Sequence, residues 1–293
     1  MADENEVLQQ DLGENDYMKQ GAVFVMHLLM EEKCDMPDKD FVVEVMKKHL
    51  GNVDCYSYDT SAGFALLDHM SEFKDGKAPA MLMFTECIEI EKPVLDELES
   101  TQLWDCPNAD EILESCKYQV IANDMLASVL EYCERAEMLV DYIEALAEIF
   151  PTCKAFVFGN SGKMHSREAI LECDAPKSFK FIHYAVNARF FNIQGTDDKM
   201  IDTIGMNTLF LPDLQFHFHG LDPDDVVNYA YSMLSYIYDK NNPIKSGDMI
   251  DGLKDGRISM EVQWKAQYEN SLIQPLREVI DINMGEFASG NRK

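Results

Sequence analysis

Apolar residues recur along the chain in two rhythms. Together they predict an α+β fold, with mixed or antiparallel sheets packed against a few helices. Residues 21–30 are β-rich and bounded by charge, which predicts a strand. Over 38–50, Phe41, Val42, Val45, Met46 and Leu50 fall at helical spacing. Lys47, Lys48 and His49 occupy the last turn, where cations suit the helix dipole, and Gly51 stops the helix. Strands are predicted at 53–58, 63–67, 80–87, 118–123 and 155–158, and a short helix at 110–115. A long helix is predicted at 128–150, ended by Pro151. Residues 179–193 read as a long β-rich stretch. Residues 203–210 and 214–219 read as strands around a Pro212-Asp213 turn.

The clearest helix opens at Asp222, a good N-cap, with Pro223 suited to the first helical position and Asp224 and Asp225 to the positive end. Val226, Val227, Ala230, Met233, Leu234 and Ile237 form its apolar stripe, and a strand at 258–264 follows. The organisation expected is an acidic disordered tail at 1–18, an N-terminal α+β part at 19–105, a C-terminal α+β part at 106–284 and a tail at 285–293. No Gly/Ser/Pro-rich linker marks the middle boundary, so one compact body is equally consistent. The element order also admits two similar α/β-sandwich halves, without a residue-level repeat.

Charge narrows the choice of partner. The 293 residues carry 25 Lys+Arg against 53 Asp+Glu, a net charge of −28. Such a chain repels phosphate backbones and acidic lipid, so neither nucleic acid nor a membrane surface is expected, and a basic protein partner is favoured. The acidic opening is the opposite of a signal-peptide n-region. The longest apolar run, 22–30, is too short to span a bilayer. Eight scattered cysteines form no CxxC pair and give no zinc signature; they fit a reduced cytoplasm.

Three constellations carry candidate chemistry. In Phe216-His217-Phe218-His219, strand geometry puts both imidazoles on one face, where His217 and His219 could hold a divalent metal with Asp213, Asp202 or His183 as a third ligand. No other cofactor is expected. Phe158-Gly159-Asn160-Ser161-Gly162-Lys163 evokes a phosphate loop but lacks its spacing, with Val157 and Met164 at the decisive positions. A surface turn is expected there. Residues 154–199 nevertheless hold seven basic side chains against five acidic ones, which makes Lys163 a candidate anion contact. On the long helix, Glu131, Glu134, Asp141, Glu144 and Glu148 form an acidic ridge, with Arg135 the only basic residue nearby. Like charges so spaced repel, and the ridge reads as a docking surface for a basic protein. No GxSxG, HExxH or Cys-His signature appears, and Trp104 and Trp264 read as core or rim aromatics.

From Gly195 to Gly252 the chain resembles a bacterial family known as domain of unknown function 4261. The resemblance rests on Thr203-Ile204-Gly205-Met206, Leu211-Pro212-Asp213-Leu214-Gln215 and Gly247-Asp248-Met249-Ile250-Asp251-Gly252 around the capped helix. It implies a bacterial cytoplasmic origin and an α+β fold and transfers no catalytic residue. These segments read as scaffold, with Asp213 bonding nearby amides. The function expected is a non-enzymatic, immunity- or adaptor-like module binding a basic protein through the acidic helix. The alternatives are a metal-dependent hydrolase built on the His-x-His strand and a structural subunit of an assembly.

Overall fold

Local signals open and close the helices much as the sequence predicts. In the structure, a computed structural model describing residues 17–74 and 76–290, the Asp38 carboxylate accepts hydrogen bonds from the Asp40 and Phe41 amides and opens helix α1, Lys39–Leu50. Gly51, at φ 76°, closes it with its N–H on the Lys47 carbonyl. Strand β1 is Val25–Met30; after α1 come β2 Val53–Tyr58, β3 Ser61–Phe73, β4 Gly76–Thr85 and β5 Ile88–Glu89. Helix α2 (Ala109–Ser115), β6 (Tyr118–Met125), α3 (Tyr132–Ile149), β7 (Ala155–Phe158), β8 (Lys163–Ser166), α4 (Arg167–Glu172) and α5 (Lys177–Ala185) follow. The chain continues through β9 Asn187–Asn192, β10 Lys199–Ile204, β11 Asp213–Phe218, α6 Pro223–Asp239, β12 Met249–Lys254, β13 Arg257–Asn270 and β14 Glu278–Asn283.

The fold is α+β, as the sequence indicates, and its strands form two sheets. One runs β2-β3-β4-β6-β1-β7-β8, with β5 also paired to β6; the other runs β12-β13-β14-β11-β10-β9. The described pairings are antiparallel except β11 with β14. The chain divides into two units. The larger is Gly21–Asn187 with Thr208–Phe210; the smaller holds Ala188–Asn207, residues 211–290 and residues 17–20. The boundary expected near residue 105 falls inside the larger unit, because β6 hydrogen-bonds to β1 on one side and β4 on the other.

In the larger unit α3 packs against both α1 and α5. It buries eleven of its eighteen residues, and its Tyr142 hydroxyl donates to the Met83 carbonyl of β4 at 2.7 Å. Met26, Leu28 and Leu29 of β1 are fully buried. In the smaller unit α6 contacts β10, β11 and β13, and Trp264 is buried edge-on against Tyr229 at 5.2 Å.

Several elements differ from expectation. Residues 179–193 are not one strand: α5 precedes β9, because Phe181, Ile182, Tyr184 and Ala185 are buried together on a helical face. Burial there overrides the weak helix propensity of aromatic residues. Residues 203–210 break after Ile204 into a 3-10 turn, Met206–Leu209, before Phe210 at φ 59°. The long helix starts only at Tyr132, after a 3-10 turn at Ala127–Val129. Strands β8, β12 and β14 and helix α4 carry too short or too mixed a pattern to announce themselves. The expected acidic tail at 1–18 lies almost wholly outside the described residues, as do 291–293. Residues 285–290 are not a free tail: Phe218 bridges Ala288, and the Ser289 amide donates to the His217 carbonyl. Among the described residues no helix is long and apolar enough to cross a membrane.

Candidate functional site, an acidic groove on the larger unit

The acidic ridge of α3 is not free charge. Glu134 meets His69 of β3 at 2.8 Å, Asp141 meets Lys177 at 2.7 Å, and Glu144 meets Lys180 at 2.6 Å. Glu148 takes both Lys48 at 2.7 Å and His49 at 2.9 Å. Only Glu131, at the N-cap, has no ion pair among the described residues. The partners missing from the helix itself come from α1 and α5, as lysines, and from the histidines of β3 and α1. Lys48 and His49 hold the Glu148 carboxyl below its ordinary value, while burial raises Asp141 despite Lys177. Arg135 faces inward: it grips Asp124 at 2.7 and 3.0 Å and donates to the Ala22 and Thr208 carbonyls.

Free carboxylates gather elsewhere, between β5 and β6. Glu89, Glu91, Asp96, Glu97, Asp110, Glu111 and Glu114 are all exposed, and among the described residues none is ion-paired. Asp110 and Glu111 lie in the first turn of α2, where they also suit its dipole. Lys92 and Lys117 are the only cations in the stretch, and the Lys117 ammonium donates to the Glu114 carbonyl at 2.6 Å. The same stretch encloses a groove of about 400 Å³ walled by Leu29, Ile90, Val94, Leu95, Leu113 and Cys116, with Glu91, Lys92 and Lys117 also lining it. A small core fixes the groove to β1, β7 and β8 through Leu95, Cys106, Ala109, Ile112, Leu29, Val157 and Met164. Tight turns stiffen it, with the Cys106 amide on the Leu103 carbonyl at 3.0 Å and Ala109 on Cys106 at 2.9 Å.

Lys163 does not sit in a surface turn. It begins β8, 1% exposed, and its ammonium donates to the Val186 carbonyl at 2.9 Å and pairs with Asp105 at 3.2 Å. A charge so placed is already neutralised, which overturns its reading as an anion contact. His165 is buried beside it, with its Nε2 3.0 Å from the His183 carbonyl and its ring 5.2 Å from that of His183. Burial and the Lys163 charge push the His165 imidazole down to about 3 and also lower that of His183. Burial raises the Asp105 carboxyl, but the neighbouring Lys163, His165 and His183 outweigh it and leave Asp105 below the usual range.

In the smaller unit the turn after β10 is tied by one carboxylate. Asp213 accepts from the Gly205 amide at 3.4 Å, the Met206 amide at 3.2 Å and the Thr203 hydroxyl at 3.3 Å, as the sequence anticipates. Arg277 and Arg189 grip the neighbouring Asp202, each at 2.6 Å, and Arg277 also holds the Thr203, Ile273 and Pro275 carbonyls. Burial pushes the Asp213 carboxyl up to about 6, against the pull of Arg277.

Residues 202–283 match a family model described as a domain of unknown function, DUF4261. The match takes in Asp202, Asp213 and Arg277, so the family-like motifs fall on this internal framework. Gly252 belongs to it too, since a Cβ there would stand 2.7 Å from the Trp264 ring. No curated protein and no solved structure matches the chain.

Within the segment that matches this model the two candidate metal histidines part company. His217 is the penultimate residue of β11, with Nε2 3.7 Å from Asp198. His219 lies past the strand end, exposed, and bonds the Ser289 hydroxyl at 3.1 Å. The third ligands considered are engaged elsewhere: Asp213 and Asp202 by arginine and backbone, and His183 on α5 of the larger unit. Among the described residues no group of three or more His, Cys, Asp and Glu side chains is arranged to hold a metal. Along β11, Asp213 and Gln215 share the face of His217, but that polar face is not open to solvent over its inner half. Asp213 and Gln215 are as buried as Leu214 and Phe216, because β11 runs between β10 and β14.

Sequence reading missed the groove. Its signal was present as nine acids among 89–114 against one lysine, interleaved with Ile90, Val94, Leu95 and Leu113 outside any long helix or strand.

Proposed function

We propose that the protein is a binding module that acts by docking a basic, amphipathic segment of another protein into the groove between β5 and β6. The observation that carries the reading is the pairing of an apolar groove with exposed carboxylates that no cation of the described chain neutralises. Free carboxylates raise the encounter rate of a basic partner, and the apolar walls give its nonpolar side chains a place to leave water. The reading keeps the basic-partner expectation and moves the surface away from α3, whose Glu134, Asp141, Glu144 and Glu148 already have partners. A reducing bacterial cytoplasm is the setting that fits, since the eight cysteines are all free thiols.

The test is binding of a synthetic peptide with arginine and leucine at helical spacing, followed by fluorescence anisotropy at low and moderate salt. A saturable complex weakened by Glu91→Lys/Glu111→Lys/Glu114→Lys is expected, and salt should weaken it further. A peptide that binds the triple variant as well as the native protein would sink this reading.

A further inference from the structure

Among the described residues of the larger unit, Trp104 is the most exposed aromatic, ahead of Phe210, Tyr56, Phe41 and Phe73, and its position is not casual. It is 61% exposed, whereas Trp264, the other tryptophan of the chain, is 1% exposed inside the smaller unit. Its indole N–H donates to the Gln102 side-chain carbonyl at 3.3 Å. Gln102 is itself buried, its amide nitrogen bonds the Thr101 hydroxyl at 3.0 Å, and its backbone carbonyl takes the Asn187 amide at 3.2 Å. The segment on either side is built of short turns, with Gln102 N–H on the Glu99 carbonyl at 2.9 Å and Cys106 N–H on that of Leu103. The ring is therefore held at the surface by its own hydrogen bond rather than left to swing.

An aromatic face presented in this way costs little further ordering when a partner covers it, which is the property of a binding anchor. The surroundings select what covers it. Asp96 and Glu97, both exposed and outside any ion pair among the described residues, lie on the turn that leads into Thr101, whereas the Asp105 carboxylate next in the chain is already held by Lys163. Among the described residues no cation stacks on the Trp104 ring. Tryptophan is the strongest aromatic partner for a cation, and arginine also stacks flat upon it.

We infer that Trp104 anchors the docked segment by stacking against one of its arginine side chains. This rests on the proposed docking function and names the contact that would give it a fixed register. A chain of charge −28 attracts any basic peptide diffusely. A tryptophan stack separates a seated complex from that background.

The experiment uses the full chain and the arginine–leucine peptide, with a second peptide in which glutamine replaces arginine. Binding is read by anisotropy of the labelled peptide, and seating by the intrinsic emission of Trp104, which the Trp104→Phe variant subtracts from that of Trp264. The inference expects saturable quenching or a blue shift from Trp104 with the arginine peptide and none with the glutamine peptide. Trp104→Ala should weaken binding about tenfold or more, and Trp104→Phe by less, because phenylalanine keeps an aromatic face. Unchanged affinity in Trp104→Ala, with affinity still lost in the Glu91/Glu111/Glu114 triple lysine variant, would overturn the anchor and leave the docking function standing. No saturable binding by the native chain would overturn both. The substituted residue is exposed, so a folding defect is not expected, and an unchanged thermal midpoint for Trp104→Ala checks that.

Discussion

Helix α3 and the stretch between β5 and β6 carry similar densities of acid in the same unit, yet their carboxylates are in opposite states. On α3 the acids at 134, 141, 144 and 148 each meet a lysine or histidine from another element, between 2.6 and 2.9 Å. Between β5 and β6 the acids face water, and an apolar groove lies among them. Like charges are tolerated on α3 because tertiary partners screen them, so its ridge is part of how the helices hold together. In the other stretch Lys163 takes Asp105, but Glu89, Glu91, Asp96, Glu97, Asp110, Glu111 and Glu114 have no ion pair among the described residues and keep their field. Net charge read along a sequence therefore says how much field a chain has, and only the fold says where it is left over.

The comparison can be broken most forcefully at Arg135, the inward charge of α3. Arg135→Ala would strand Asp124, 1% exposed, without its partner, and such a loss costs about 3–5 kcal/mol. Urea denaturation should show it; a loss under about 1 kcal/mol would mean that the pair is not buried as described.

The next effect is one of pH. His165 is held neutral in the fold at about 3, against an ordinary value near 6.5. A base with a lowered folded pKa stabilises above its unfolded pKa and loses that contribution as pH falls. Between pH 6.5 and 5 the loss from this group is about 2 kcal/mol. His165→Gln should flatten that part of the stability profile. Asp213 in the smaller unit has the opposite sign: its carboxyl is raised to about 6, so its contribution is full below about pH 4 and is lost as pH rises to 6. Emission from Trp264 in a Trp104→Phe background follows the smaller unit separately, and should resist acid better than the larger one.

Smaller still are the surface pairs. Asp141→Asn and Glu144→Gln should each cost about 0.2–1 kcal/mol, as partly exposed ion pairs do, and should leave peptide affinity nearly unchanged. Glu91→Lys and Glu114→Lys should each alter stability by under about 0.5 kcal/mol, since neither gives up an ion pair, and Glu111→Lys by up to about 1 kcal/mol, since it also opposes the α2 dipole. The two sets thus divide cleanly, one acting on stability and the other on binding.

Much of the fold was legible because caps and periodicity are local. Asp38, Gly51, Asp222 and Pro223 act within one turn, and the limits of α1, α6, β2 and β7 follow from them and from short apolar runs. Helix α5 was not legible: Phe181, Ile182 and Tyr184 read as β residues until burial puts them on a helical face. The boundary between the units was hidden for a similar reason, since β6 joins strands from far earlier in the chain. Asp213 as a turn tie was legible, because its amide partners lie within eight residues. The engagement of the α3 acids was not, because Lys177 and Lys180 reach them from 36 residues away and Lys48 from 100. Lys163 misled because a glycine-rich turn and a lysine look exposed, whereas here the lysine enters a buried strand and meets Asp105.

The most direct test of the docking account compares two charge reversals for affinity to the arginine–leucine peptide at fixed salt. One changes Glu91, Glu111 and Glu114 to lysine; the other changes Glu134, Asp141 and Glu144. The account predicts that the first lowers affinity at least about tenfold and that the second, once shown to be folded, lowers it much less. Equal losses from both would mean that the peptide senses only the total charge of −28, and would contradict a docking site in the groove.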